Sequence, residues 1–258
     1  MIVHAGFART ILCAASVLLL SHLPVSAAGD INIDRTFQVG ASPVLNLDTH
    51  KGELKIRPVE GDEIVVKARI RAEEGTEELD LVDVRFRQVG DRVYVDVDYQ
   101  ETRFWNNWNN GHRILPAVDF DITVPQRTEL RVDSHKSDID IVAPDGRLTL
   151  EAHKGRGQIR GVHSDLRFET HKGDFDIEVT ELADLDISTH KGYVKVQVLS
   201  GDNFRIRGNT HKGDLAIVGR DVRHIVQRNG YSINHREGTG DAMVQLETHK
   251  GFIELAWK

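Results

Sequence analysis

The sequence predicts an all-β fold, a single-stranded β-solenoid of about 18–21-residue rungs, each with two strands and one Thr-His-Lys-Gly corner, plus an antiparallel β-meander near the N-terminus. Three observations predict it. The corner string or a near variant recurs around His50, His135, His153, His171, His190, His211 and His249. From His135 the intervals are 18, 18, 19 and 21 residues, followed by a double interval of 38. Apolar residues alternate with polar ones on both sides of the string, as in Leu166/Phe168 before it and Phe175/Ile177/Val179 after it. A fixed period of β-rich units is the signature of stacked rungs, each burying its apolar face against its neighbours. Period-2 alternation on either side of a glycine means two half-buried strands joined by a bend.

The chain reads in order as follows. Residues 1–27 form a signal peptide: Arg9 is the basic start, "ILCAASVLLL" (11–20) the apolar run, and Val25-Ser26-Ala27 or Ser26-Ala27-Ala28 the small-residue cleavage pattern. Ten apolar residues are too few to span a bilayer. The single cysteine, Cys13, falls inside this run, after Ile11-Leu12 rather than the small residues that precede a lipidated cysteine. The expected mature chain, free of transmembrane segments, therefore has no thiol, which excludes disulfides, cysteine–zinc sites and cysteine nucleophiles.

Residues 30–258 form one domain. Within it, 60–128 is an antiparallel capping insertion with strands at 62–72, 81–88, 91–99 and 117–125, and a hairpin turn at Val89-Gly90-Asp91. Residues 129–258 are the regular rungs. The 38-residue interval hides a degenerate unit, "IVQRNGYSI" (225–233), in which Arg228-Asn229-Gly230 replaces His-Lys-Gly. Trp257, on the core parity, is expected to help close the last rung.

Parity orients the corner. Leu166 and Phe168 face inward, so Thr170 does too, at the tight end of the core, where the column holds only Thr, Ser or Ala. His171 then points outward. Acidic residues flank it in most rungs: Asp48, Asp133, Glu151, Glu169 and Glu247 two positions before the histidine, and Glu53, Asp138, Asp174 and Asp214 after the glycine. With rungs about 4.7–4.9 Å apart, a lysine column would repel itself, and these acids are expected to balance it. A structural corner with a charge-balanced ladder is the plainest reading.

The stretch "FDITVPQRTELRVDSHKSDIDIV" (120–142) resembles the entry to the bacterial candidate-adhesin β-strand-repeat domain, a domain of unknown function, in which an Ile-x-Val-Pro strand feeds repeated strand–corner–strand units. The resemblance spans roughly residues 32–258 and implies an exported, non-enzymatic β-solenoid. The uniform His-Lys pair is a departure, because that family usually shows small polar residues there.

The formal charge is 33 − 40 = −7, and −8 once Arg9 is removed (32 − 40). This acidity disfavours nucleic acid as a partner. Zinc or copper binding by the histidine ladder is an alternative, since eleven histidines follow residue 27. There is, however, no His-x-His and no local His-Glu cluster. No acidic glycine-rich calcium loop occurs, and the Gly-x-Gly strings at 155–157 and 238–240 open no helix. A solenoid carbohydrate-active enzyme is the other alternative. Its residues would have to come from the break at 219–242, which holds Asp221, His224, His235 and Glu237 in no spacing that specifies a reaction. No residue is assigned to catalysis and no cofactor is implied.

The expected function is a structural or binding module of the bacterial cell envelope, periplasmic, secreted or at the cell surface, with an envelope glycan or protein as partner. Two places are candidates for contact. One is the loop 102–113, with Trp105, Asn106, Trp108 and Asn109, because tryptophan beside amide side chains suits sugar faces and protein partners. The other is the corner column, with His153-Lys154, His171-Lys172, His190-Lys191 and His211-Lys212. The acids should offset most of the repulsion in that column near neutrality. Below about pH 4.5, as carboxylates neutralise, it should become a strip of positive charge that holds anionic glycans.

Overall fold

The computed structural model describes residues 30–72, 79, 81–99, 115–222, 224–227 and 230–258. The segment read as a signal peptide and the Trp-Asn loop at 102–113 lie outside the described residues. Every described strand belongs to one open sheet, and no described segment is α-helical. No helix among the described residues is long and apolar enough to cross a membrane.

The repeat units form the middle of the sheet. Strands β2 (Val44–Val59), β7 (Glu129–Val142), β8 (Leu148–Val162), β9 (Leu166–Val179) and β10 (Leu185–Val198) run parallel, each continuing through the corner. Their register places like on like. Leu130, Leu148, Leu166 and Leu185 form one buried column, and Val132, Leu150, Phe168 and Ile187 the next. Because the period is uniform, each inward side chain meets an equivalent one above and below. Phe168 and Phe175, on the two arms of one rung, meet edge to face with centroids 4.9 Å apart. Burying a side chain of this size contributes roughly 1.5–3 kcal/mol.

The stacking order departs from sequence order. The last unit, β15 (Ala242–Thr248) with β16 (Phe252–Trp257), lies directly on β10, pairing Leu185 with Val244 and Val194 with Ile253. The preceding unit, β11 (Phe204–Thr210) with β12 (Asp214–Val218), pairs with the far side of β15 and β16. The chain thus steps outward, leaves a slot, and fills it with its own end. The expected degenerate rung is instead an antiparallel hairpin. Strand β13 (His224–Gln227) pairs with β14 (Gly230–Glu237), and β14 runs antiparallel along the outer edge of β11. An antiparallel cap explains why this unit lost its corner residues. Trp257 therefore closes an interior rung. Its ring stacks on Phe204 at 4.8 Å, and its indole N–H donates to the Gly201 carbonyl at 3.1 Å.

The N-terminal strands also differ from a continuous meander. Strand β5 (Arg92–Tyr99) pairs parallel with the first arm of β2, and β6 (Ala117–Pro125) with the second arm. Together they make one more split rung. Strand β4 (Val82–Val89) pairs antiparallel with β5 through a turn in which Gly90 has φ +59°. Strand β3 (Glu63–Arg71) runs antiparallel to β6, and β1 (Asp30–Gln38) antiparallel to β3. A true meander would pair β3 with β4 and β5 with β6. It fails here because β5 and β6 are drawn apart by the two arms of β2.

Candidate functional site

The corner is built the same way in each rung. Thr49, Ser134, Ala152, Thr170, Thr189, Thr248 and Thr210 are buried and end the inward column. The hydroxyls of Thr49, Thr170, Thr189 and Thr248 have no hydrogen-bond partner, and Ala152 fills the same slot without one. Small size therefore decides this position. Two residues later, the lysines pair in register: Lys51 with Lys136, then Lys154, Lys172 and Lys191. The column continues where the Lys250 amide donates to the His190 carbonyl at 2.8 Å and the Lys212 amide to the His249 carbonyl at 2.7 Å. Gly155 (φ +143°) and Gly192 (φ +137°) turn the chain where a Cβ would lie 2.1 Å from the carbonyl oxygen of the adjacent rung. A side chain there meets both backbone strain and a clash.

This repetition brings seven imidazoles into one stack. Ring centroids are separated by 4.5 Å from His50 to His135, 4.7 Å to His153, 4.8 Å to His171, 4.7 Å to His190, 4.6 Å to His249 and 4.8 Å to His211. Interplanar angles range from 2° to 13°. The Tyr99 ring ends the stack, 5.0 Å from His50 and tilted by 60°, with its hydroxyl donating to the Pro116 carbonyl at 3.0 Å. The faces of the inner rings are covered by their neighbours, so the ladder offers ring edges to solvent. Parallel rings aim their nitrogens in parallel, so neighbours do not converge on a shared ion as a zinc site requires. Among the described residues no group of three or more histidines and carboxylates is placed to hold a metal.

The charge pattern is not balanced as expected. Lys136, Lys154, Lys172, Lys191, Lys212 and Lys250 form no ion pair with another described residue. The acids beyond the glycine are engaged elsewhere. Asp138 pairs with Arg156 at 2.9 Å and Glu53 with Lys55 at 3.1 Å. Asp174 accepts from the Tyr193 amide at 3.2 Å, and Asp214 bonds the Tyr231 hydroxyl. The acids before the histidine form their own row, with Asp96, Asp48, Asp133, Glu151 and Glu169 in register. Three rows therefore run along the stack: carboxylates, imidazoles, and ammonium groups of which the six named form no ion pair among the described residues.

Titration reflects this crowding. Burial, followed by the His135 ring and Lys51 and Lys136, holds His50 below the usual imidazole value. His135 is lowered by desolvation, His153 and the neighbouring lysines, with Asp133 only partly opposing. His190 and His249 are lowered by desolvation and then by adjacent rings and lysines. The expectation that the acids would offset the repulsion thus fails for these four. Asp48 moves upward through burial and the facing carboxylates of Asp133 and Asp96.

The structure unites the predicted pairs His153-Lys154, His171-Lys172, His190-Lys191 and His211-Lys212 on one edge. It also adds Tyr99 and the position of His249 inside the stack, neither of which sequence spacing could reveal. Trp105, Asn106, Trp108 and Asn109 lie outside the described residues. The break at 219–242 is a plug. Arg220 lies over Trp257 and Phe204, at 5.4 and 5.8 Å, and pairs with Glu237 at 3.0 Å and Asp202 at 2.7 Å. A concavity of about 460 Å³ on the opposite arm is walled by Asp138, Arg156, Asp174 and Tyr193, and no histidine lines it.

A parallel stack of near-identical bent strands with one uniform polar edge defines a β-repeat protein. The chain belongs to the Toastrack family, DUF4097, whose profile matches residues 25–256. It is similar in structure to a candidate cell adhesion protein from Clostridium sporogenes, at 14% identity and a TM-score of 0.52, covering 88% of this chain and all of that one. A candidate adhesin from Bacteroides fragilis aligns at 10% identity and a TM-score of 0.31 over 87% of this chain and 97% of its own. A candidate lipid binding protein from Parabacteroides distasonis aligns at 8% identity and a TM-score of 0.27, over 87% and 96%. No curated protein matches the chain.

Proposed function

We propose that this chain is a non-catalytic structural and binding module exported to the bacterial cell envelope, and that its corner edge binds an anionic envelope polymer, an acidic glycan above all. The observation that carries this reading is the row of six lysines without ion pairs among the described residues, beside seven stacked imidazoles. The likeness to a candidate cell adhesion protein and the signal-like first 27 residues are in keeping with an exported binder.

Acid strengthens the edge in two ways. As pH falls imidazoles take up protons, and His50, His135, His190 and His249 do so only below the ordinary imidazole value because burial, neighbouring rings less than 5 Å away and the adjacent lysines hold them down. In stronger acid carboxylates as a class neutralise, and the acidic row beside the ladder then stops opposing its charge. Binding to an anionic polysaccharide should therefore strengthen from pH 7 to pH 5. The variant carrying His153→Asn, His171→Asn and His190→Asn should keep lysine-based binding but lose most of the pH dependence. Absence of binding to any anionic polysaccharide at pH 5, measured by calorimetry, would end the proposal.

A further inference from the structure

We propose a second site: the concavity on the outer face of the second arms binds an organic ammonium group, held against the open ring face of Tyr193 by the carboxylates of Asp174 and Asp176. It shares no residue with the corner edge and takes a ligand of the opposite charge, so it stands or falls independently of the reading above.

An aromatic platform interrupts a charged row. The outward positions just past the corner are filled in register by Glu53, Asp138, Arg156 and Asp174, and then by Tyr193 and Phe252. Phe252 covers one face of the Tyr193 ring, with centroids 5.2 Å apart and planes 6° from parallel. Because β10 lies between β16 and β9, the other face looks out over the short side chain of Asp174. The next long side chain in that direction is Arg156, two rungs from Tyr193, or roughly 9.5 Å at the usual strand spacing. The Tyr193 hydroxyl donates to Glu254 Oε2 at 2.9 Å, which fixes the ring in this orientation. The platform is therefore both open and held, and it walls one side of the 460 Å³ concavity.

The charges around that wall select the ligand. Five carboxylates line the concavity, and three of them are matched: Glu53 by Lys55 at 3.1 Å, Asp138 by Arg156 at 2.9 Å, and Asp140 by Arg160. The cations nearest Tyr193 turn away from its open face, Arg156 toward Asp138 and Lys195 toward Glu254 at 3.8 Å. Asp174 and Asp176 are left. Asp174 accepts only the Tyr193 amide, at 3.2 Å, and Asp176 forms no ion pair or hydrogen bond with another described residue. Asp176 is close enough to Tyr193 that its charge, after desolvation and Glu254, helps to hold the phenol above its ordinary value. An aromatic face beside two uncompensated carboxylates attracts a cation through both the ring quadrupole and the charges, and an alkylammonium group fits both. A neutral ring stacked on Tyr193 would leave both carboxylates without a counter-charge. A bare metal ion is poorly served, since among the described residues no group of three or more ligands converges.

The test is titration of the full chain at pH 6, where carboxylates are ionised and amines charged. Choline chloride is compared with dimethylbutanol, in which carbon replaces the charged nitrogen, and glucosamine with neutral N-acetylglucosamine. Calorimetry and the NMR shifts of the Tyr193 ring report binding. At least one ammonium compound should bind about tenfold more tightly than its neutral partner and shift the Tyr193 ring, as a cation–π contact beside carboxylates predicts. Choline as the binder points to a quaternary headgroup, and glucosamine to an amino sugar; either supports the site. The double variant Asp174→Asn/Asp176→Asn keeps the shape and the acceptor for the Tyr193 amide, and should remove the preference for the charged compound. Tyr193→Phe should retain binding and Tyr193→Ala should lose about tenfold. The variant carrying His153→Asn, His171→Asn and His190→Asn should bind the ammonium compound as the wild type does. Equal affinity for charged and neutral partners, loss of binding in the three-histidine variant, or no binding of either ammonium compound would overturn the proposal.

Discussion

The imidazole of His249 lies 4.6 Å from that of His190, with His211 on its other side at 4.8 Å, although His211 comes between them in the chain. The final unit is thus held between two neighbours, and its amides are hydrogen-bonded into both.

Hydrogen exchange should report this directly. Amides of Val244–Thr248 and Ile253–Leu255 should exchange as slowly as those of β10, and more slowly than those of the β13–β14 hairpin. Fast exchange in the last unit, of the kind expected for a fraying terminus, would contradict the interior placement.

Phe168 is almost fully buried, with Phe175 edge-on to it. Phe168→Ala should lower the free energy of unfolding by about 3–5 kcal/mol in a denaturant titration. A loss under about 1 kcal/mol would remove the inward assignment of that column and, with it, the outward assignment of His171.

The histidines divide by direction. His50, His135, His190 and His249 have folded values below 6.5, so the unfolded chain takes up their protons first. Their contribution is constant above pH 6.5 and declines as pH falls below it toward the folded values. His163 is the opposite case. Its bond to the Gly161 carbonyl, and the Asp145 carboxylate 2.9 Å from Nε2, raise it. The stability it adds is complete below 6.5 and lost as pH rises through the folded value. NMR titration should therefore find the four ladder rings titrating below 6.5 and His163 above it. His163→Gln should destabilise the protein at pH 5.5 and have little effect at pH 8. Any of His50, His135, His190 and His249 titrating at or above 6.5 would refute the crowding argument.

Tyr231 guards an open strand edge. Its hydroxyl receives the Leu215 amide and lies 2.6 Å from the Leu215 carbonyl, while burial and Asp214 push its pKa up to about 12. Among the described residues strand β12 pairs only with β16. Tyr231→Phe should leave the fold intact but free this edge for pairing with other chains. Light scattering should show stronger concentration-dependent association than in the wild type. A profile identical to that of the wild type would show that other residues protect the edge.

Much of the rung was legible because strand alternation is local and the period is constant. Thr170 inward and His171 outward follow from parity alone. The order of rungs was not legible, since either of the last two units could add to the free side of β10 with the same inward pattern. The unpaired lysines were hidden for a different reason. Proximity in sequence placed Asp138 and Glu53 beside the lysine column, but Arg156 and Lys55 on the second arm claim them. Tyr99 at the end of the stack depends on β5 joining β2, a pairing across the connection that no local pattern carries.

The two hairpin-capped ends have a bearing on inheritance. Between them, β8 and β9 are spaced by 18 residues and meet neighbours that present the same columns. An in-frame duplication of one such unit would enter the interior of the sheet, lengthen the imidazole column by one ring and leave both caps untouched. Beyond either cap a new unit would meet an antiparallel strand instead of a parallel rung. The length of the edge can therefore change in whole steps by copying from within, and descendants of one ancestral gene could differ in reach while keeping the same corner.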